Sequence, residues 1–531
     1  MRPNAYAPIC LAFLLLVGSL AGCGNGRNSA PVSPALAGKN YNVALILVDT
    51  LRPDHLGCYG YDKPTSPFID SLAAEGVLFE NARTASTFTG EAVSALLTGR
   101  PPAMSATGLG WTARPTPMDS NLPGLLAAAG YRTGIFSTSF VMRFKGFYDS
   151  FQESELFPTI PNTSELDERL TDAALAFAER HQNEPNFQYL HYYAPHAPYH
   201  PPADFLSPFH PDFSILDPAT EVHPAALVAQ GMRTEDPRLA ELKKHYDGEI
   251  ALIDQSIQRY VDGLKKLGTL SRTIIVLVSD HGEEFLEHGF ADHAWNLYDE
   301  AMRIPMIVWA PSLYTPGRVS EPVSIVDIMP TLLRSLQIPH AAFGAPEAGQ
   351  YLFQAGVERW DYVPRRGPLY ASLFPESRAQ LHAVVFDRYK YIAGPRWLAG
   401  PEYVQFWMLQ GVMASRAREA DFHPMNPWAP PEREGLYDLS ADPGESKDLS
   451  LELPDVLEKG RALLRTYEAA STPFRANGAA LTDSDPFSPA YVTEQLKILA
   501  GEATSESQTG TEEGERIEPE VIEGLETMGY L

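Results

Sequence analysis

Residues 43–48, Val-Ala-Leu-Ile-Leu-Val, form an unbroken apolar run that stops at Asp49. A short apolar run with a polar end predicts a strand buried on both faces, as in a parallel sheet covered by helices. Further on, Ile250, Ile253, Ile257, Tyr260, Val261, Leu264 and Leu267 recur at helical spacing and stop at Gly268. Thr273–Val278 predicts a second buried strand, ending at Ser279-Asp280-His281-Gly282, and Met306–Trp309 a third. Such alternation indicates an α/β domain with a central, mostly parallel sheet flanked by helices. Ligands of such sheets bind just past the carboxyl ends of the strands. That rule singles out Asp49 and the Asp280-His281 pair.

The pattern changes after about Tyr351. Shorter strands, near residues 382–386 and 389–392, precede an irregular stretch at 397–431 that is rich in Pro, Trp and Met. A helix is expected near 454–469. Residues 501–516 are Glu, Ser, Thr and Gly with almost nothing apolar, the composition of a disordered tail.

The first residues have another pattern. Arg2 is followed by an apolar run, 9–17, too short to span a bilayer as a mature helix and suited to the apolar core of a secretory signal. Leu20-Ala21-Gly22-Cys23 then resembles a bacterial lipobox, whose cysteine is lipidated; Gly24 follows it, which favours the outer membrane. Residues 24–39 read as a tether. The expected organisation is a lipoprotein signal peptide at 1–22, lipidated Cys23 and tether to 39, a catalytic domain at 40–350, a C-terminal α+β subdomain at 351–475, and an acidic, partly disordered tail at 476–531. The expected location is the cell envelope, lipid-anchored at the outer membrane and facing periplasm or exterior.

Of the 3 cysteines only Cys58 remains after processing, so no disulfide framework is available. The formal charge of −26 argues against nucleic acid as a partner. It leaves room for an anionic substrate, because a bound metal ion reverses the local field.

Asp49, Asp280, His281, His288 and His293 make a carboxylate–imidazole set without a thiolate cluster, which suits zinc, manganese or iron. Thr89 opens an expected short helix at 90–97 that Gly99 stops. Its hydroxyl either caps that helix or, beside the positive helix end, acts on an anion.

At this point the chain resembles the sulfatase-fold branch of the alkaline phosphatase superfamily. The resemblance rests on Val48-Asp49-Thr50-Leu51-Arg52-Pro53-Asp54-His55, Thr65-Ser66-Pro67, residues 94–100, Pro195-His196-Ala197-Pro198-Tyr199, Tyr246-Asp247-Gly248-Glu249, Ser279-Asp280-His281-Gly282-Glu283, His293, Arg303-Ile304-Pro305 and Leu436-Tyr437-Asp438, all in family order. It implies an alkaline phosphatase/sulfatase-like sheet with a smaller C-terminal subdomain. It also implies a divalent metal held by Asp49, Asp280 and His281 with Thr89 as a further ligand, zinc or manganese favoured and calcium possible. Thr89 becomes the nucleophile, and His196 contacts the transferring group or leaving oxygen. His293 either binds a second metal or stabilises the transition state, and Glu283 and His288 give support.

The departures point away from formylglycine chemistry. Thr89 stands at the modified position, with Glu91, Ala92 and Val93 where sulfatases carry Pro, Ser and Arg; Thr50 and His281 replace an aspartate and an asparagine. Glu91 either repels an anionic substrate or takes up a metal or a cationic head group. The leading expectation is a hydrolase of phosphate diesters or monoesters acting through a covalent Thr89 intermediate. The alternatives are a sulfuric ester hydrolase, an envelope phosphoethanolamine-type transferase, and a binding member without turnover. The sequence leaves the oligomeric state open.

Overall fold

The computed structural model describes residues 41–475 apart from 108–113, 116–120, 140–141, 143–147, 158–162, 215–223, 225–231, 339–347, 374–380 and 395–433. The signal, Cys23, the tether, the stretch at 397–431 and the acidic tail therefore lie outside the described residues. Among the described residues, no helix is long and apolar enough to cross a membrane.

The strands of the main sheet are β1 (Asn42–Val48), β2 (Val77–Phe79), β3 (Arg132–Ser137), β4 (Glu153–Leu156), β5 (Asn186–Tyr192), β6 (Thr273–Val278), β7 (Met306–Trp309) and β8 (Gly317–Val319). They assemble in the order β8-β2-β7-β6-β1-β5-β3-β4. Strand β7 alone runs against its neighbours, pairing antiparallel with β6 and β2. The mostly parallel sheet expected from the apolar runs is thus present, with one reversed strand.

Helices cover both faces. They are α1 (Pro67–Glu75), α2 (Thr89–Thr98), α3 (Thr163–Arg180), α4 (Pro237–Lys266) and α5 (Ile328–Ser335). Because strand side chains alternate between faces, β1 serves two cores. Val43, Leu45 and Leu47 join Val93, Leu96 and Leu97 of α2 and Ile328 and Leu332 of α5. Ala44, Ile46 and Val48 join Leu170 and Phe177 of α3 and Ile250, Ile253 and Ile257 of α4. This double burial is why β1 reads as an unbroken apolar run.

Helix α4 shows how local sequence sets an element. Asp236 accepts the Arg238 N–H at 2.9 Å as its N-cap, Pro237 occupies the first turn, and Gly268 past its end sits at φ +70°. Its start lies ahead of the periodic residues, so the apolar spacing located its second half.

A second sheet, β9 (Leu369–Leu373), β10 (Leu381–Phe386), β11 (Tyr389–Ala393) and β12 (Glu434–Asp438), is antiparallel. Helix α6 (Pro454–Arg475) packs Leu457, Leu464 and Tyr467 on it. The helix runs several residues past the expected 469. Phe353 and Trp360, which precede this sheet, pack into the first core of the main sheet.

Candidate active site

The carboxyl ends of β1 and β6 are neighbours in the sheet, which brings Asp49 and Asp280-His281 together. Thr50 turns the chain there in a left-handed conformation, φ +55°, a strained choice for a β-branched residue. Its N–H donates to Asp280 Oδ1 at 3.2 Å, and its carbonyl accepts the Tyr246 hydroxyl at 2.8 Å. Its own hydroxyl is buried without a hydrogen-bond partner.

Asp49, Asp280 and His281 are all buried and offer ligand atoms within 4.8 Å of one another. Asp280 Oδ1 is taken by the Thr50 and His281 N–H groups, and Asp49 Oδ2 by His191. The remaining oxygens, Asp49 Oδ1 and Asp280 Oδ2, are buried with no hydrogen-bond partner. Two orphaned carboxylate oxygens facing one imidazole fit a divalent cation. His281 Nδ1–H donates to the Gly282 carbonyl at 3.0 Å, which leaves Nε2 as the lone-pair nitrogen. Burial pushes His281 down to about 4, so the ring is neutral as a ligand must be. Burial and the Asp280 charge hold Asp49 well above the carboxylate range. A cation between the two acids would reverse that shift.

Thr89 is the first helical residue of α2, preceded by an extended Phe88, and makes no capping bond. Its Oγ1 instead donates to His281 Nε2 at 3.1 Å. The structure therefore aims this hydroxyl at the ligand group. Gly99, at φ +64°, ends the helix as expected. Glu91 lies in the first turn, buried, with Oε2 accepting the Ser86 hydroxyl at 2.8 Å.

His196 and His293 come from different loops and meet beside this group. The His293 ring lies 4.4 Å from that of His281 and 4.8 Å from that of His196. His196 stacks on Tyr193 and donates Nδ1–H to the Ala197 carbonyl at 2.6 Å. Burial, with His293 nearby, holds it well below its usual value.

His293 groups with Glu283 and Asp292, apart from the Asp49 set. Its Nδ1 lies 2.7 Å from Asp292 Oδ1 and 3.1 Å from Glu283 Oε1. Burial pulls His293 down, but the two carboxylates outweigh it and hold the ring well above its usual value, as an imidazolium. Glu283 is pushed up to about 7 by burial and by Asp292, and it accepts the Tyr199 hydroxyl at 2.9 Å. His288 is elsewhere: it stacks on Tyr298 at 3.6 Å and pairs with Glu300. Asp292 and His191 went unnoticed in the sequence. Asp292 adjoins His293, and His191 lies at the end of β5, where the strand-end rule would have found it.

A helix that opens on the Thr89 hydroxyl and a carboxylate–imidazole group that could hold a cation thus meet at the carboxyl edge of an α/β sheet. Residues 41–338 match the sulfatase family, more than half of the chain, and the chain belongs to that family. It is an ester hydrolase of the sulfuric or phosphoric kind, in a family that depends on a divalent metal. It is 23% identical over 426 residues to the N-acetylglucosamine-6-O-sulfatase of Bacteroides thetaiotaomicron, covering 64% of this chain and 74% of that one. It is 26% identical over 388 residues to human iduronate 2-sulfatase, covering 56% and 70%. The fold is similar to that of the phosphonate monoester hydrolase of Agrobacterium radiobacter, with TM-score 0.60, 18% identity and coverage of 81% and 96%. It is also similar to a structure solved with its substrate D-glucosamine-2-N,6-O-disulfate, with TM-score 0.61, 18% identity and coverage of 85% and 99%. The named relatives move the balance from the phosphate ester expected first to the sulfuric ester alternative.

Proposed function

We propose that this protein hydrolyses an anionic sulfuric ester, with Thr89 as the nucleophile in place of formylglycine. The family match carries the reading: it spans a site in which the Thr89 hydroxyl lies 3.1 Å from His281, beside two orphaned carboxylate oxygens. Asp49, Asp280, His281 and Thr89 would hold a divalent metal, zinc or manganese by their mixed oxygen and nitrogen donors. When bound, the metal supplies Lewis-acid polarisation of the ester and a lowered pKa for the Thr89 hydroxyl.

The chain's own groups supply the rest. Thr89 Oγ1, its proton released to solvent, bonds to sulfur as the bond from sulfur to the alcohol oxygen breaks. The amino end of α2 favours the anion that Thr89 attacks. His293, held protonated by Asp292 and Glu283, donates a proton to the departing alcohol. His196, held neutral beside it, positions the transferring group. Water then attacks the sulfur of the Thr89 ester as the bond from sulfur to Oγ1 breaks; one water proton restores the Thr89 hydroxyl, the other returns to His293, and sulfate leaves. Glu91 shapes this end of the helix through Ser86.

A phosphoric or phosphonic ester is the second reading. It is favoured by the unmodified threonine, the Asp280-His281 pair and the fold shared with a phosphonate monoester hydrolase. The Cys23 lipobox supports a location at the outer membrane, which Cys23→Ser would test by releasing the protein into the soluble fraction.

Matched aryl sulfate, phosphate monoester, phosphate diester and phosphonate substrates decide the chemistry, with the intact protein loaded separately with zinc, manganese or calcium. Sulfate turnover that disappears in Thr89→Ala is the expected result. Faster turnover of a phosphorus ester would replace the proposal with the second reading. Turnover unchanged in Thr89→Ala would overturn both.

A further inference from the structure

We propose that Tyr189 and His191 form a positioning chain behind Asp49 that restricts this carboxylate to one donor oxygen and so biases the site toward zinc over calcium. The inference rests on the metal-dependent reading above.

Sheet register, not a loop, delivers the chain. In β5, His191 lies opposite Leu47 of β1, and the Asp49 N–H donates to the Tyr192 carbonyl at 3.0 Å. The imidazole is thereby fixed at the flank of Asp49. His191 Nε2 lies 3.1 Å from Asp49 Oδ2, and its Nδ1 lies 3.1 Å from the Tyr189 hydroxyl. All three side chains are buried. With a cation bound, Asp49 is ionised and only accepts, so Nε2 carries the proton; Nδ1 then accepts the Tyr189 O–H. Each hydrogen bond fixes the direction of the next.

The consequence is a donor count. With one lone pair of Oδ2 taken by His191, Asp49 presents Oδ1 as its uncommitted donor, an atom buried without a hydrogen-bond partner. Asp280 is restricted likewise, its Oδ1 held by two backbone N–H groups and its Oδ2 left over. His281 Nε2 and Thr89 Oγ1 complete the set. Two single carboxylate oxygens, one imidazole and one hydroxyl suit zinc. Calcium takes about 6–8 oxygens, more than this set offers when each carboxylate binds through one oxygen. For Asp49 to close on an ion with both oxygens, Oδ2 would have to share the ion with the His191 N–H, which draws off its electron density and holds its direction, or give up that bond and leave a buried N–H unpaired. His191 is thus a positioning residue that acts through Asp49.

The test is chelator-competition binding of zinc and of calcium to the intact protein, with thermal melts of the metal-free protein beside it. His191→Phe keeps a ring but removes the donor, and His191→Gln returns an N–H near Nε2. Tyr189→Phe deletes one hydroxyl. We expect His191→Phe to weaken zinc by about 10- to 100-fold, the range for outer-shell partners of metal ligands, while calcium is unchanged or tighter. His191→Gln should recover most of the loss, and Tyr189→Phe should show a smaller shift of the same sign. If His191→Phe does not fold, Tyr189→Phe decides. An unchanged zinc-to-calcium ratio in the variants, or equal loss for both ions, would overturn the proposal. A wild-type protein that binds neither ion would overturn the metal reading itself.

Discussion

Lys390 of β11 is fully buried, with Nζ 2.8 Å from Asp299 Oδ1 and 2.7 Å from the Glu445 carboxylate. Asp299 lies in the segment that follows His293, so this ammonium ties the C-terminal sheet to the active-site loops. Lys390→Met removes the cation with little change in volume. Asp299 keeps Arg83 at 2.6 Å and stays paired. Loss of one charged hydrogen bond there should cost about 2 kcal/mol. Glu445 is different, because burial pushes it up to about 7 even beside Lys390. Without the lysine it stays protonated at still higher pH. Above about pH 7 the folded variant therefore binds one more proton than folded wild type, and its relative stability falls by about 1.4 kcal/mol per pH unit. The expected penalty is about 2 kcal/mol at pH 6 and about 4–5 kcal/mol at pH 9, within the range for breaking a buried ion pair. Urea unfolding followed by tryptophan fluorescence at the two pH values measures it. The double variant Lys390→Met/Glu445→Gln removes the titrating group and should show no pH trend. A penalty independent of pH, or smaller than about 1 kcal/mol at pH 9, would refute the argument.

Thr89→Ala should lower kcat by roughly 10³-fold or more while thermal melts remain close to wild type; substantial residual turnover would remove Thr89 from the nucleophile role. Asp254 accepts the Phe68 and Ile69 N–H groups at the start of α1, yet burial pushes it up to about 7. The folded state thus retains a proton that the unfolded chain has released, so this group's contribution to stability is lost as pH rises from about 4 to about 7. Asp254→Asn should flatten the fall of stability over that window, and urea unfolding at both ends would show it. Chelation should lower the melting temperature and abolish turnover, because saturation at about 1,000 times Kd stabilises by about 4 kcal/mol; a melt indifferent to chelator and to added zinc would count against the site.

The sequence by itself determined the layer architecture. Runs such as 43–48 and 274–278 are apolar on every residue because both faces of those strands are covered. That pattern has few structural solutions, and it placed Asp49, Asp280 and His281 at strand ends. The ordered motifs added Thr89, His196 and His293. Only the tertiary structure decided which of these share a ligand group. Strand register is a long-range property, and it set β6 and β5 on either side of β1, joining His191 to Asp49 across the sheet. The choice between capping and facing the site for Thr89 depended on where the helix begins: the extended Phe88 takes the cap position and leaves Thr89 as the first helical residue. His293 looked like a partner of His281, yet its protonation was settled by Glu283 and Asp292, whose approach depends on how the segment folds back at Asp292 and Ala294, both at positive φ. Local pattern fixes which elements form and which face is buried; distances, hydrogen-bond partners and charge states arise only when separate segments close on one another.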